Sequence, residues 1–191
     1  ARAVALGEFV LGYPNAYDRA HGRTGANLMV HGDCSSRGCY SMTDEQISEI
    51  YALGRDSFFG GQRSFQVHAY PFRMTPKNLA KHRNNPHMAF WKMLKRGNDH
   101  FEVTHLEPKV DVCEKRYTFD VDNGSTLAAA GMCPGRPPHD VLVAELDKRQ
   151  AADGAAVETE VVAIATKGAE GQAAAEKEAA VLAGRKARGE A

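Results

Sequence analysis

Asn27-Leu-Met-Val-His31, then Gly32-Asp-Cys-Ser-Ser-Arg-Gly-Cys39, then Tyr40-Ser-Met-Thr43-Asp-Glu-Gln46 form the stretch around which the remaining sequence can be organised. The first segment is a short apolar run and reads as a buried strand that feeds directly into a loop of glycine, serine and cysteine. Thr43 and Gln46 have the spacing of a capping box, and Ile47, Ile50, Tyr51 and Leu53 supply an apolar stripe behind it. A helix is therefore expected from Asp44 to about Phe58, ended by Gly60-Gly61. Ser64 to Tyr70 alternates weakly before Pro71, as a strand would. The order strand, loop, helix, strand places the loop at a strand end, where a rigid scaffold can hold reactive side chains.

Further along, Thr75-Pro76 puts a cap before a proline at the first helical position, so a short helix is expected over Pro76 to His82. A second helix, Pro86 to Arg96, carries Met88, Phe90, Trp91 and Leu94 and is expected to close at Gly97; Trp91 reads as core. Two short strands, Lys109 to Cys113 and Arg116 to Val121, are expected around a tight turn at Glu114-Lys115. The fold class these elements imply is mixed α/β and β-rich, with helices packed outside the sheets. Aromatic residues run from Phe9 to Phe119 and then stop. That separates a body over 1–139 from an Ala/Glu/Lys-rich tail over 140–191, expected to be flexible or helical, with one isolated apolar patch at Val157 to Ala165.

With 191 residues, 43% hydrophobic and 25% charged, the chain can bury one sizeable core. Lys+Arg and Asp+Glu balance at 24 each, so no global field draws it to nucleic acid or an anionic membrane, and a small neutral or zwitterionic partner fits better. No apolar run reaches the length of about 18 residues that a membrane span needs. The first eleven residues lack the features of a secretory signal, which leaves a cytosolic protein or a mature or truncated form. Cys34, Cys39, Cys113 and Cys133 are too sparse for a disulfide-stapled framework; one reactive thiol with three bystanders fits, and so does one disulfide.

The loop carries chemistry. A cysteine nucleophile needs a lowered pKa or an adjacent imidazole, because the thiolate attacks, and His31 lies eight residues before Cys39 at the strand end. It also needs backbone N–H groups aimed at a developing oxyanion. Gly38 before Cys39 lets the backbone approach a substrate closely, with Tyr40 just beyond. Gly32 leaves its carbonyl accessible to fix the His31 tautomer. An inert cysteine and a structural histidine are the plain alternatives. A sharper one is zinc: His31, Cys34 and Cys39, with His68, approach a zinc-knuckle spacing, though no second Cys-x-x-Cys pair completes it. The readings that remain are an enzyme without a cofactor and a non-catalytic zinc-stabilised module that binds cell-wall fragments.

Gly12-Tyr-Pro-Asn-Ala-Tyr-Asp-Arg-Ala-His-Gly-Arg-Thr-Gly25, followed by Met29-Val-His-Gly-Asp-Cys-Ser-Ser-Arg-Gly-Cys-Tyr-Ser-Met-Thr-Asp44, resembles the YafK branch of the YkuD-type L,D-transpeptidase family. Phe65-Gln-Val-His-Ala-Tyr-Pro-Phe-Arg-Met-Thr75 and Met88-Ala-Phe-Trp-Lys-Met-Leu-Lys95 extend the likeness, which covers about Leu11 to Phe119. Ser36-Arg37-Gly38-Cys39 departs from the Ser/Thr-His-Gly-Cys of the wider family and matches the branch.

The resemblance implies a YkuD-like catalytic domain over 1–139, lacking the family's N-terminal strands. It implies acyl transfer on peptidoglycan stem peptides at diaminopimelate through a Cys39 acyl-enzyme, with His31 as base and the Gly32 carbonyl orienting it. A hydrolytic version would release a murein-linked outer-membrane lipoprotein, and the compartment would be the periplasm. For the stem carboxylates, Arg37 and Arg73 are the leading candidates beside Arg19 and Arg23, since arginine offers a two-pronged donor fork. Ser36 and His68 are further candidates for substrate binding, and Tyr17 and Tyr40 for the walls of the cleft. In an oxidising compartment Cys34 is placed to pair with Cys39.

Overall fold

A computed structural model of the chain describes residues 2–5, 8–33, 35–121, 126–135 and 141–187, which divide into two units. The first, 1–69 with 104–138, holds β1 (Arg2–Ala5), β2 (Glu8–Val10), α1 (Ala16–Ala20), β3 (Met29–His31), β4 (Tyr40–Ser41), α2 (Asp44–Phe59), β5 (Val110–Cys113) and β6 (Arg116–Phe119). The second, 70–103 with 139–191, holds α3 (Pro76–Lys81), α4 (Met88–Thr104) and α5 (Val141–Ala187).

The four-stranded sheet has the order β1-β2-β3-β4. β1 and β2 are antiparallel, as are β2 and β3 with Phe9 opposite Val30; β4 then lies parallel to β3 with Val30 opposite Tyr40 and His31 opposite Ser41. Phe9 and Val30 are buried, and Phe9, 1% exposed, is the anchor. Its ring meets Tyr51 at 5.5 Å and Phe65 edge-on at 5.6 Å between centroids. A Cβ added to Gly54 would lie 2.5 Å from Phe9 Cζ, so glycine on α2 is what lets the ring dock. The buried face of α2 is thus Ile47, Tyr51 and Gly54, at helical spacing. Ile50 and Leu53, expected in that stripe, are exposed, Leu53 by 75%.

The capping box at the start of α2 forms as read: Gln46 N–H donates to Thr43 Oγ1 at 3.2 Å, and the Thr43 N–H donates to Gln46 Oε1 at 3.3 Å. Three expectations are corrected. The chain is mixed α/β with small sheets, but among the described residues it is not β-rich, since no strand there exceeds four residues. Ser64 to Tyr70 is not a strand: the Gln66 N–H donates to the Glu107 carboxylate and its side chain to the Pro108 carbonyl, so side-chain bonds occupy groups a ladder would use. The helix expected to stop at Arg96 instead runs through Gly97 to Thr104 as α4. Gly97 costs about 1 kcal/mol in a helix interior, and the buried Asp99 and His100 beyond it offset that cost. The predicted short helix at Pro76 is α3, with Thr75 as its cap and His82 just past its end.

β5 and β6 form the expected hairpin, and both Glu114 and Lys115 take left-handed φ values (50° and 57°), which suits a two-residue hairpin turn. Cys113 is disulfide-bonded to Cys133. The bridge, with the Glu114 N–H on the Gly131 carbonyl and the Lys115 N–H on the Ala129 carbonyl (both 2.8 Å), fastens the following segment to the hairpin tip.

In the second unit the segment expected to be flexible or helical forms α5. Lys95 Nζ donates to both oxygens of Asp99 (2.7 and 2.6 Å) and to Asp153 of α5 (2.5 Å), while Arg96 bonds Asp147 and Gln150. The buried Lys95 charge is tolerated here because its ammonium donates to two carboxylates, Asp99 and Asp153. Val157 and Val161, from the apolar patch, line a cavity of about 400 Å³ with Leu79 and Met88. Among the described residues no helix is long and apolar enough to cross a membrane.

Candidate active site

β3 delivers His31 to the edge of the loop, and the parallel ladder continues one step beyond it, since the Met42 N–H donates to the His31 carbonyl at 3.0 Å. The loop therefore leaves β3 and returns beside it as β4. Cys39 stands one residue before β4. Its thiol is partly exposed and makes a long contact, 3.7 Å, with the Asn27 carbonyl. Asn27 itself takes a left-handed φ of 57°, which shortens the expected strand from Asn27–His31 to Met29–His31. His31 and Cys39 are not hydrogen-bonded to each other in this arrangement.

The His31 ring turns its Nδ1 onto the carbonyl of Gly32. With Nδ1–H as donor, Nε2 is left with its lone pair. Gly32 has no room for a side chain: an added Cβ would meet Asp44 Oδ1 at 2.4 Å and Ile47 Cγ2 at 3.0 Å. Next to it, the Asp33 N–H donates to Asp44 Oδ1 at 3.0 Å, with Asp33 at a φ of 78°. The other glycine of the loop has the opposite reason. Gly38 has nothing within 4 Å of an added Cβ, but its φ of 104° is one that side chains rarely adopt.

Ser36 Oγ donates to the Cys39 carbonyl at 2.7 Å and so braces the loop instead of standing free for substrate. Arg37 is exposed, with no ion pair among the described residues, and Tyr40 is 47% exposed beside it. Tyr17, read as a cleft wall, is buried: it is stacked on Tyr117 at 4.5 Å, meets His21 at 4.2 Å and lies under the Arg23 guanidinium at 5.3 Å. Arg23 is paired with Asp18 at 2.9 Å, which holds its pKa above the usual value, and Arg19 is bonded to the Pro14 carbonyl. His68 bonds Gln66 Oε1 through Nε2 at 2.8 Å; partial loss of its water lowers its pKa, and the Glu107 carboxylate partly offsets this. Arg73 is exposed and belongs to the second unit. Cys34, on which both the zinc spacing and the pairing with Cys39 depend, lies outside the described residues.

Asn27 and Asp44 escaped the sequence reading. Asp44 carried a signal, being an acid in the first turn next to a capping box.

Over 107 residues, 56% of its length, the chain is 50% identical to the protein named "Putative L,D-transpeptidase YafK" of Escherichia coli (strain K12). The likeness to the YafK branch is borne out. The same identity over the same length relates it to the protein of that name in Escherichia coli O157:H7. The match covers 44% of each relative, so the chain spans less than half the length of the curated relatives it matches. No family model matches the chain.

Proposed function

We propose that this chain carries the nucleophile and base of a YkuD-like L,D-transpeptidase, acting on peptidoglycan stem peptides at diaminopimelate and so serving cell-wall biogenesis. The observation that carries the reading is the His31 ring, held by Nδ1 on the Gly32 carbonyl with Nε2 left as proton acceptor, at the end of β3, against which β4 pairs one residue after Cys39. The name of the relatives, L,D-transpeptidase, supports transpeptidation as the class of reaction.

In this mechanism the Cys39 thiol leaves its long contact with the Asn27 carbonyl to meet the His31 ring. His31 Nε2 takes the thiol proton, and Sγ attacks the carbonyl carbon of the stem peptide. The tetrahedral oxyanion is stabilised by backbone N–H groups of the loop around Gly38 and Tyr40. The imidazolium then gives its proton to the departing amine, leaving a thioester on Cys39. On murein-linked lipoprotein that departing amine is the lipoprotein itself; an incoming amine then resolves the thioester to a new amide, whereas water resolves it to a free carboxylate and restores the Cys39 thiol. Exposed Arg37, beside the nucleophile, suits a stem carboxylate. The Cys113–Cys133 disulfide supports an oxidising compartment such as the periplasm.

Mass spectrometry of muropeptides after incubation of the chain with purified sacculi tests the reading. New diaminopimelate-linked products, or loss of linked lipoprotein, in wild type but not in Cys39→Ser are the expected result. Unchanged muropeptides together with no acyl adduct on Cys39 would overturn it.

A further inference from the structure

We propose that Asp44 is the positioning residue that sets the His31 tautomer, acting through a single peptide plane. The inference deepens the proposed function and rests on His31 as its base. A trans peptide unit is planar, with its N–H and C=O pointing in opposite directions. The Gly32–Asp33 unit is such a plane, since the only cis bond among the described residues is Tyr13–Pro14. One end of it, the Asp33 N–H, donates to Asp44 Oδ1 at 3.0 Å; the other end, the Gly32 carbonyl, meets His31 Nδ1. Fixing the N–H on Asp44 thus fixes the direction of the C=O, and the C=O determines which ring nitrogen of His31 holds the proton.

Two further observations make Asp44 a rigid post. It opens α2, whose preceding turn is locked by the Thr43–Gln46 capping box, and its own carbonyl accepts from Ser48 Oγ at 2.6 Å. Its carboxylate is also pressed against the Gly32 Cα, where an added Cβ would come within 2.4 Å. The plane is held from the side and from one end. Asp33 keeps a left-handed φ of 78° within this bond, a conformation that asparagine and aspartate accept more readily than most residues. Without Asp44 the plane loses the bond that fixes its N–H end, and the aim of the carbonyl at His31 is no longer set from that side.

The test is a long-range proton–nitrogen correlation spectrum of the histidine rings in the full isotope-labelled chain, at a pH where imidazole is neutral, with His31 assigned by comparison with His31→Gln. Such spectra distinguish the two tautomers directly. Wild type and Asp44→Asn, which keeps an acceptor oxygen, are expected to show His31 with its proton on Nδ1. Asp44→Ala is expected to shift His31 to a mixture containing the Nε2–H form. Asp44→Ser, too short to reach the Asp33 N–H but suited to a helix start, is expected to do the same and serves if the alanine variant does not fold. An Nδ1–H ring that persists in either truncation, or one that is lost in Asp44→Asn, overturns the proposal. No substrate enters this measurement, so inactivity toward sacculi counts against the proposed function and leaves the tautomer result to be read independently.

Discussion

Tyr117 of β6 lies flat on Tyr17 of α1, ring centroids 4.5 Å apart and planes 15° from parallel, while its hydroxyl accepts from Asn15 Nδ2 at 2.7 Å. The hairpin from the end of the first unit thereby clamps the segment around residues 12–25 that leads into β3. Tyr117→Phe removes the hydroxyl and keeps the ring, and should cost about 0.5–1.5 kcal/mol; Tyr117→Ala, which also removes the stacked ring, should cost about 2–4 kcal/mol. Burial, the largest influence on the Tyr117 hydroxyl, pushes its pKa up, with the Asn15 bond opposing. A raised folded-state pKa means that the protonated form stabilises the fold. That contribution is complete below about pH 10 and is lost as pH rises through the folded value. Denaturant unfolding at neutral and strongly alkaline pH should show wild type losing more stability than Tyr117→Phe. Equal losses would sink the assignment.

The Cys113–Cys133 bridge closes a loop of 20 residues' separation, so its removal should destabilise the fold by about 3 kcal/mol through loop entropy. Thermal melts with and without reductant measure this, with Cys133→Ser as the genetic equivalent. The same bridge predicts a labelling pattern. Under non-reducing conditions near neutral pH, iodoacetamide should modify Cys39 and leave Cys113 and Cys133 untouched, as peptide mapping would show. Alkylation of Cys113 without reductant would contradict the pairing.

What was legible in the sequence was local. Thr43 and Gln46 are three residues apart, so the start of α2 could be read from their spacing, and the His31-to-Cys39 loop announced itself because its parts lie within nine consecutive positions. The Glu114-Lys115 turn was legible for the same reason. Tyr17 was misplaced because its partner Tyr117 stands 100 residues away, and nothing near Tyr17 in sequence signals a stacked ring. The end of α4 was misread because Gly97 is a local stop signal that the tertiary burial of Asp99 and His100 overrides. Phe65 looked like part of an alternating strand, yet its ring is committed to Phe9 and Phe58 and the adjacent amide to Glu107.

Gly32 and Gly38 should fail differently when replaced by alanine. Gly32→Ala drives a methyl into Asp44 Oδ1 and Ile47, an overpacking of the kind that costs about 1–3 kcal/mol. Gly38→Ala meets no atom, but its φ of 104° imposes a backbone penalty of about 1–2 kcal/mol. Shortening the obstructing residue separates the two cases: Asp44→Ser should recover part of the Gly32→Ala loss and none of the Gly38→Ala loss in a double-mutant cycle read by urea midpoint. Equal recovery in both would show that the crowding at Gly32 is not the cause.

His31→Ala and Arg37→Ala should divide catalysis from binding. His31 ends β3 with its Nδ1 engaged by Gly32, so its imidazole offers one free nitrogen, and losing it removes both the acceptor for the Cys39 proton and the acid for the leaving amine. General acid–base losses of this kind cost about 10²–10⁴-fold in kcat. Arg37 is exposed and without an ion pair among the described residues, so truncating it leaves no buried charge orphaned and should raise KM more than it lowers kcat. The measurement is muropeptide turnover by chromatography, with circular dichroism to show that both variants fold. Should His31→Ala keep more than about a tenth of the wild-type rate, a loss of only about 1.4 kcal/mol in barrier, His31 is not the base. His68 would then be the next residue to replace. Burial lowers its pKa and so favours the neutral ring, but the bond from Nε2 to Gln66 must first be broken for it to serve.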